Sequence, residues 1–412
     1  MRRATREYLV FLWRCGRIAF VGDWRYYAWM GVLTVICLLG LNAYAKQLVH
    51  GLIATGMSDE VSWGVYIANF TFLVGVAAAA VMMVIPVYIY DNEELHDLVI
   101  FGELLAVAAI LMCLAFVTVD LGRPDRFWHL IPGLGQLNFP ASMLSWDVIV
   151  LNGYLLLNVH ICGYLLYCRY RNVKPSKWFY IPFVFVAIVW AVSIHTVTAF
   201  LYVGLGGRPF WNSSIVGPRF LASAFTAGPA IIILALQVIR RLTNYRITDK
   251  ALLTLRSIVQ VSMLINVFLL VNEVFKEFYS GNLHVASSKY LYLGLHGYHA
   301  LVPWIWTAIV FNLVAMFLLV LPLSRSLKWL NLTCVLCIVG IWIEKGMGLV
   351  IPGFIPTPLG QMVEYRPSLN ETLVCLGIWA FGLLCYTVFL RMSVPILQGR
   401  LSKANEGPGR PA

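Results

Sequence analysis

Carboxylate and imidazole side chains lie inside long apolar runs of this 412-residue sequence. Glu103 lies in a run that stops at Asp120, while Asp147, His195 and Glu273 lie in three others. A carboxylate inside a membrane costs roughly 2.5 to 3.5 kcal/mol on insertion scales. We therefore expect each of these groups to contact water, to have a partner or to serve a function. Because carboxylates and imidazoles take up and release protons, these positions indicate proton or substrate handling.

The apolar runs are long enough to cross a membrane. The sequence is 60% hydrophobic and 12% charged, with a mean hydropathy of +0.79, which is far from the composition of water-soluble domains. A helix needs about 20 apolar residues to span a hydrocarbon core. Such runs occur at 28–48, 61–88, 99–119, 142–168, 178–203, 217–239, 254–278, 296–323, 327–351 and 370–396. The sequence therefore predicts an all-α polytopic membrane protein with about ten transmembrane helices.

The placement of Lys and Arg predicts the orientation, because basic residues are retained on the cytoplasmic side. With a cytoplasmic N-terminus, most of the 30 basic residues fall in inside segments. We therefore expect a multi-pass protein of a bacterial or archaeal cytoplasmic membrane, with both termini cytoplasmic. The net charge of +11 is assigned to this topology and to contact with anionic membrane lipids, and nucleic acid is not expected as a partner.

Three segments are predicted along the sequence. Residues 1–27 mix Arg with aromatic side chains, which is typical of a basic segment lying at the cytoplasmic membrane interface. Residues 28–398 form the ten-helix membrane domain. Residues 399–412 are polar and contain Gly and Pro, so we expect a disordered cytoplasmic tail.

Helix direction gives each polar group a depth, at 1.5 Å per residue. Most of the ionisable groups are predicted near the outer side: Asp120, Arg123, Asp147, His195, Glu273, Glu277, His296, His299, Glu344 and Lys345. In the inner half, Glu103 and His160 fall at similar depth on the antiparallel third and fourth helices. We expect these two side chains to be in contact and to begin a proton path from the cytoplasm. Asp120 and Arg123 could alternatively cap a helix end and pair with each other.

The cysteines predict no metal site. Most of the nine lie inside or beside apolar runs, where Cys usually acts as a small apolar residue. Cys334 and Cys337 form a lone Cys-x-x-Cys pair, and no Cys-x-x-Cys-His sequence is present for covalent haem attachment. We therefore expect no iron–sulfur cluster bound by this protein.

Three motifs, in order along the sequence, resemble those of the NrfD or polysulfide-reductase membrane subunits. They are Val61-Ser-Trp-Gly-Val-Tyr-Ile-Ala-Asn-Phe-Thr-Phe-Leu-Val-Gly75, Asp120-Leu-Gly-Arg-Pro-Asp-Arg-Phe-Trp128 and Phe139-Pro-Ala-Ser-Met-Leu-Ser-Trp-Asp147. The resemblance covers most of residues 58–396. Within that family the motifs look most like DsrP-type subunits, which are the quinone-interacting subunits of Dsr transmembrane complexes in dissimilatory sulfur metabolism. The hydrogenase membrane subunit HybB is also similar.

The resemblance implies two four-helix bundles, at about 61–203 and 217–351, with one extra helix on each side. It implies menaquinone or ubiquinone as substrate near the outer surface, and no haem or iron–sulfur cluster in this protein. It further implies a periplasmic, ferredoxin-like iron–sulfur subunit as electron partner, together with other membrane and cytochrome subunits of a Dsr-type complex.

Transferring the family's motifs residue by residue gives a candidate site. Asn69 and Trp63 are expected near the quinone headgroup, and Phe70 and Thr71 stand where relatives have a quinone-contacting His. His195 is therefore the expected substitute. The full set comprises His195, Asp120 and Arg123 as catalytic residues; Asn69, Trp63, Asp147 and His195 as quinone-binding residues; and Glu103, His160 and Glu273 as a proton path.

Three other functions remain open from the sequence. In a haem-bearing cytochrome b-type subunit, His195 and His299 would be the ligands. A secondary transporter of an anion or sulfur compound would show broken helices in matching halves. The third is a structural anchor for a periplasmic partner.

Overall fold

The computed structural model describes residues 2–281 and 285–403 of the protein. An amphipathic helix, α1 (Arg2–Ala19), comes first. Ten helices of the described part are long and apolar enough to cross a membrane, which confirms the predicted all-α polytopic fold. They are α2 (Trp24–His50), α3 (Val65–Tyr88), α4 (Val99–Asp120), α5 (Met143–Tyr170), α6 (Lys177–Val203), α7 (Val216–Thr243), α8 (Asp249–Tyr279), α9 (Val302–Val320), α10 (Leu327–Phe354) and α11 (Leu369–Leu397).

Two spans begin later than predicted. Helix α3 starts at Val65 rather than 61, and α9 starts at Val302 rather than 296. His296 adopts a positive φ of 51°, and the backbones of Leu295 and Tyr298 bond to each other across that turn. His296 and His299 therefore lie in the loop before α9 and not on it.

The spans form two four-helix bundles with a flanking pair. Helices α3 to α6 pack as the first bundle, α7 to α10 as the second, and the two meet along α3 and α7. Helices α2 and α11, the first and last spans, pack against each other beside α4. Gly40 and Gly377 let them approach closely, since a Cβ atom at Gly40 would lie 2.6 Å from the Gly377 Cα.

Both ends of the described sequence lie at one face of the bundles. The Lys403 ammonium is 3.0 Å from the Glu7 carboxylate, and the Phe11 ring of α1 packs on Tyr167 and Tyr170 near the end of α5. We call this the terminal face and the other end the opposite face. Residues 404–412 of the predicted tail lie outside the described residues.

Candidate functional site

A large cavity opens among the helix ends of the opposite face. It has a volume of about 570 Å³, within the usual range of small-molecule sites. Its walls come from the starts of α3, α9 and α11, the end of α10 and the loop before α11. The polar and aromatic members of the lining are Asn69, Trp304, Trp342, Tyr365, Arg366, Thr372, Cys375 and Trp379. Three indoles and one phenol around a mostly apolar space suit a flat aromatic ligand that carries oxygen atoms.

Asn69 holds two of the cavity's aromatic walls in place. Its Oδ1 accepts hydrogen bonds from Trp342 Nε1 at 3.0 Å and from Trp379 Nε1 at 2.9 Å. Its Nδ2 donates to the Val65 carbonyl at 2.8 Å and contacts Cys375 Sγ at 3.6 Å. Asn69 as a whole is 2% exposed. Asn69 therefore lines the cavity, but its polar atoms are engaged by the cavity walls.

Tyr365 forms the polar end of the cavity, and Glu371 lies behind it as its hydrogen-bond partner. The Tyr365 hydroxyl donates to Glu371 Oε1 at 2.8 Å and accepts from the Val65 N–H at 2.9 Å. Burial raises the pKa of the Tyr365 phenol, and the Glu371 carboxylate raises it further, so the hydroxyl stays protonated at neutral pH.

The Glu371 carboxylate is fully buried and caps α11. It accepts from the backbone N–H of Gly56 at 2.6 Å and of Ser368 at 2.9 Å, completing a capping box with Ser368. The carboxylate thereby fixes both the start of α11 and the position of Tyr365.

Asp120 and Arg123, predicted at the bundle mouth, separate in the structure. Arg123 is exposed, and its Nε and Nη2 atoms donate to the two carboxylate oxygens of Asp125 at 3.0 and 2.9 Å. That pairing holds the pKa of the Asp125 carboxyl below its usual range. Asp120 has one buried oxygen, Oδ1, without a hydrogen-bond partner in the described part of the protein. The alternative in which Asp120 and Arg123 pair with each other is therefore wrong.

Trp63 lies away from the cavity. Its ring packs edge-on against Tyr202 and Phe354 and beside Trp211, with centroid separations of 5.6 to 5.8 Å. Trp63 therefore belongs to an aromatic cluster between the bundles, not to the lining that contains Asn69.

His195 and Asp147 are buried in the first bundle, and Thr198, one turn from His195, contacts Asp147. The Thr198 hydroxyl lies 3.2 Å from Asp147 Oδ1, while His195 Nδ1 bonds the Ala191 carbonyl at 3.1 Å. His195 borders a cavity of only about 10 Å³ at the junction of the bundles. That space is too small for a porphyrin, and His299 lies in the loop before α9, so the geometry does not favour the predicted haem pair.

Glu103 and His160 do not contact each other. Cys162 Sγ donates to Glu103 Oε2 at 3.1 Å, and both residues are 2% exposed. His160 instead turns toward α6, where its Nε2 is 3.2 Å from the Phe179 carbonyl and its ring lies 4.5 Å from Phe183. Successive helical residues are rotated by about 100°, so the two-residue step from 160 to 162 changes the face.

Glu273 belongs to a buried charge network of the second bundle. Arg219 of α7 pairs with Glu273 of α8 and, at 2.6 Å, with Glu344 of α10. Asn312 of α9 donates to Glu344 Oε2 at 2.7 Å. All four residues are at most 7% exposed. Glu273 is thus separate from Glu103, so the three residues of the predicted proton path lie in three different environments.

Sequence reasoning missed several cavity residues because they lie beyond the recognised motifs. Tyr365, Trp342 and Trp379 follow no chemical spacing rule. Ser368 and Glu371 did carry a signal, since Ser-x-x-Glu before an apolar run is the sequence pattern of a capping box.

Comparison with known proteins gives one family and several relatives. Residues 53–356 match the family model described as "Polysulphide reductase, NrfD". The sequence is 27% identical to a putative membrane subunit of dimethyl sulfoxide reductase from Halobacterium salinarum, over 79% of this protein and 77% of that one. It is 23% identical to the Hdr-like menaquinol oxidoreductase integral membrane subunit of Archaeoglobus fulgidus, over 89% and 93%. It is 28% identical to one of the polysulfide reductase polypeptides of Wolinella succinogenes, over 41% and 56%.

Proposed function

Since the protein belongs to the NrfD family of polysulfide reductase membrane subunits, we propose that it is the quinone-interacting membrane subunit of a respiratory complex. In this role it binds menaquinol or menaquinone and exchanges electrons with an iron–sulfur subunit docked on the opposite face. That face would be periplasmic, with both termini in the cytoplasm. The three motifs favour a Dsr-type complex of dissimilatory sulfur metabolism.

The observation that carries this proposal is the cavity of about 570 Å³ with Tyr365 at its polar end. Its indole walls would hold the quinone ring, because aromatic rings stack or meet edge to face at favourable energy. Its position at the opposite face would keep the ring within reach of a protein docked there. Asn69 would keep Trp342 and Trp379 in the geometry that leaves the space open.

Quinol oxidation releases two electrons to the iron–sulfur partner and two protons to the protein or water. Tyr365 is suited to accept one quinol O–H, because its own proton already points at Glu371. As that O–H transfers its proton to Tyr365, the Tyr365 proton moves to the Glu371 carboxylate, and no net charge is left on the phenol. Quinone reduction uses the same steps in reverse.

The test is the Tyr365→Phe variant of the purified complex, with Tyr279→Phe as matched control. Tyr279 is 79% exposed on the same face and lines no part of the cavity. We expect Tyr365→Phe to lower kcat for menaquinol oxidation about 100-fold, the lower end of general acid–base effects, with little change in analogue affinity. A Tyr365→Phe complex that turns over like Tyr279→Phe would refute this role of Tyr365.

The location of the cavity is tested separately with a photoreactive menaquinone analogue. Labelling should fall on the α11 segment that carries Thr372 and Cys375 and should be displaced by unlabelled menaquinone. Labelling confined to the face near His160 would place the quinone elsewhere and overturn the site.

A further inference from the structure

A second, much smaller cavity lies where the two bundles meet. Its volume is about 10 Å³, the room that one water molecule occupies by this measure. The first bundle contributes Thr71, Gly75 and His195, and the second contributes Ser223 and Lys345 among its lining residues. The space is separate from the large cavity, with which it shares no lining residue.

His195 directs an unpaired nitrogen toward this space. Its Nδ1 is 3.1 Å from the Ala191 carbonyl, so Nδ1 carries the proton and Nε2 is left as an acceptor. Nε2 is buried and has no hydrogen-bond partner in the described part of the protein. A buried acceptor without a partner is unfavourable, and a bound water would satisfy it.

Lys345 supplies the matching donor from the other bundle. It is 3% exposed, and its ammonium lies 5.2 Å from the centre of the Phe220 ring. An aromatic face leaves the N–H groups of an ammonium free to donate elsewhere. Ser223 provides a third polar group, because its hydroxyl donates to a backbone carbonyl and keeps its oxygen as an acceptor. A buried water typically makes about three hydrogen bonds, and these groups supply that number.

We propose that a single buried water bridges Lys345 and His195 and forms a proton-conducting link between the two bundles. On one side, Lys345 follows Glu344 in sequence, and Arg219 pairs with both Glu344 and Glu273, which places the two carboxylates in one network. Another cavity of about 10 Å³, bordered by Glu273, Glu277 and Glu344, extends that network toward the end of α8.

On the other side of the water lie the hydroxyls of the first bundle. Thr71, which borders the cavity, is 2.5 Å from the Tyr202 hydroxyl. Thr198, one turn beyond His195, reaches Asp147. Transfer of a proton from the Lys345 ammonium through the water to His195 Nε2 leaves a neutral amine and forms an imidazolium. A proton that enters the second bundle through the cavity at Glu277 then restores the Lys345 ammonium, so the one proton taken up appears as the charge on His195. This link goes beyond quinone binding and rests on the proposed function only for its functional assay.

Gly75 offers a way to remove the water while keeping every titratable group. A Cβ atom at Gly75 would lie 3.9 Å from His195 Nε2 and 3.5 Å from Ala224, which is ordinary contact. Gly75→Ala therefore places a methyl group in the cavity without a clash. Gly163→Ala is the matched control, because a Cβ atom there meets nothing within 4 Å.

The experiment is a cryo-EM structure of the assembled complex at a resolution that shows ordered water, combined with proton counting in proteoliposomes. We expect density for one water within about 3.2 Å of both His195 Nε2 and Lys345 Nζ. Gly75→Ala should lose this water, and the protons moved per electron should fall at least about twofold, with menaquinone-analogue affinity unchanged.

Three outcomes would overturn the link: no water in the wild-type complex, a water retained in Gly75→Ala, or an unchanged proton count in water-free Gly75→Ala. If photolabelling places the quinone elsewhere while the water is present and Gly75→Ala lowers the proton count, the proposed quinone site fails and the link stands.

Discussion

Replacing Asn69 by Leu tests whether this amide holds the cavity walls. The change removes the Oδ1 atom that accepts from Trp342 and Trp379. A buried donor left without an acceptor costs about 1 to 3 kcal/mol. Both indoles are only partly buried, so the lower part of that range applies to each. We expect Asn69→Leu to lower the free energy of unfolding by about 2 to 3 kcal/mol and analogue affinity by about 10-fold.

A double-mutant cycle isolates this contribution. In a Trp342→Phe and Trp379→Phe background the indole donors are absent, so Asn69→Leu loses chiefly the bond to Val65, about 1 kcal/mol. The coupling energy between Asn69 and the indole pair should therefore be about 1 to 2 kcal/mol. The assay is denaturant unfolding in mixed micelles, followed by circular dichroism, with analogue binding measured on the same samples.

The result that would refute the argument is additivity. Residues without shared contacts combine to within about 0.3 to 0.5 kcal/mol. If Asn69→Leu costs the same in both backgrounds within that margin, the amide does not hold the indoles, and any loss of analogue affinity has another cause.

Two further predictions concern charge pairs. Arg219→Met leaves the Glu273 and Glu344 carboxylates buried without their partner, and it should destabilise the protein by about 3 to 5 kcal/mol in thermal unfolding. Arg123→Met removes an exposed pair and should leave the unfolding midpoint unchanged. Equal effects of the two variants would contradict this contrast. The hydrogen bond between His96 and Asp97 raises the pKa of His96 and lowers the pKa of Asp97, so the pair stabilises the fold at pH values between these two pKa values, and this stabilisation is lost as the pH rises through the pKa of His96. Asp97→Asn should therefore lower the pKa of His96 in an NMR titration. An unchanged His96 pKa would contradict the pairing.

Hydropathy predicted the spans well because each span is determined by its own composition. The two late starts, at Val65 and Val302, follow segments that contain aromatic residues but lie in turns. Trp63 and Tyr298 lengthen the apolar runs of α3 and α9 in the sequence, but neither residue is helical. Aromatic residues are also common at membrane interfaces, where they can lie in a turn. A scan for apolar length cannot separate these two situations.

Side-chain depth was predictable, but the direction of a residue around its helix was not. Glu103 and His160 fall at similar depth, yet Cys162 is the residue that faces Glu103. Which face of a helix meets its neighbour depends on packing among helices far apart in sequence. The pairing of Arg219 with Glu344 has the same origin, since 125 positions separate them in sequence.

The ionisable groups that cluster toward one face form two systems, which differ in how a change of charge can be compensated. Tyr365 borders an open cavity and bonds Glu371 behind it, so a ligand or water in the cavity can compensate a changed charge. Arg219, Lys345, Glu273 and Glu344 are closed off, and their formal charges cancel. A proton added to that closed set makes it net positive in a medium of low dielectric, which is costly unless charge leaves elsewhere. Since His195 and Lys345 border the same small cavity, the junction of the bundles is the place where such compensation is available.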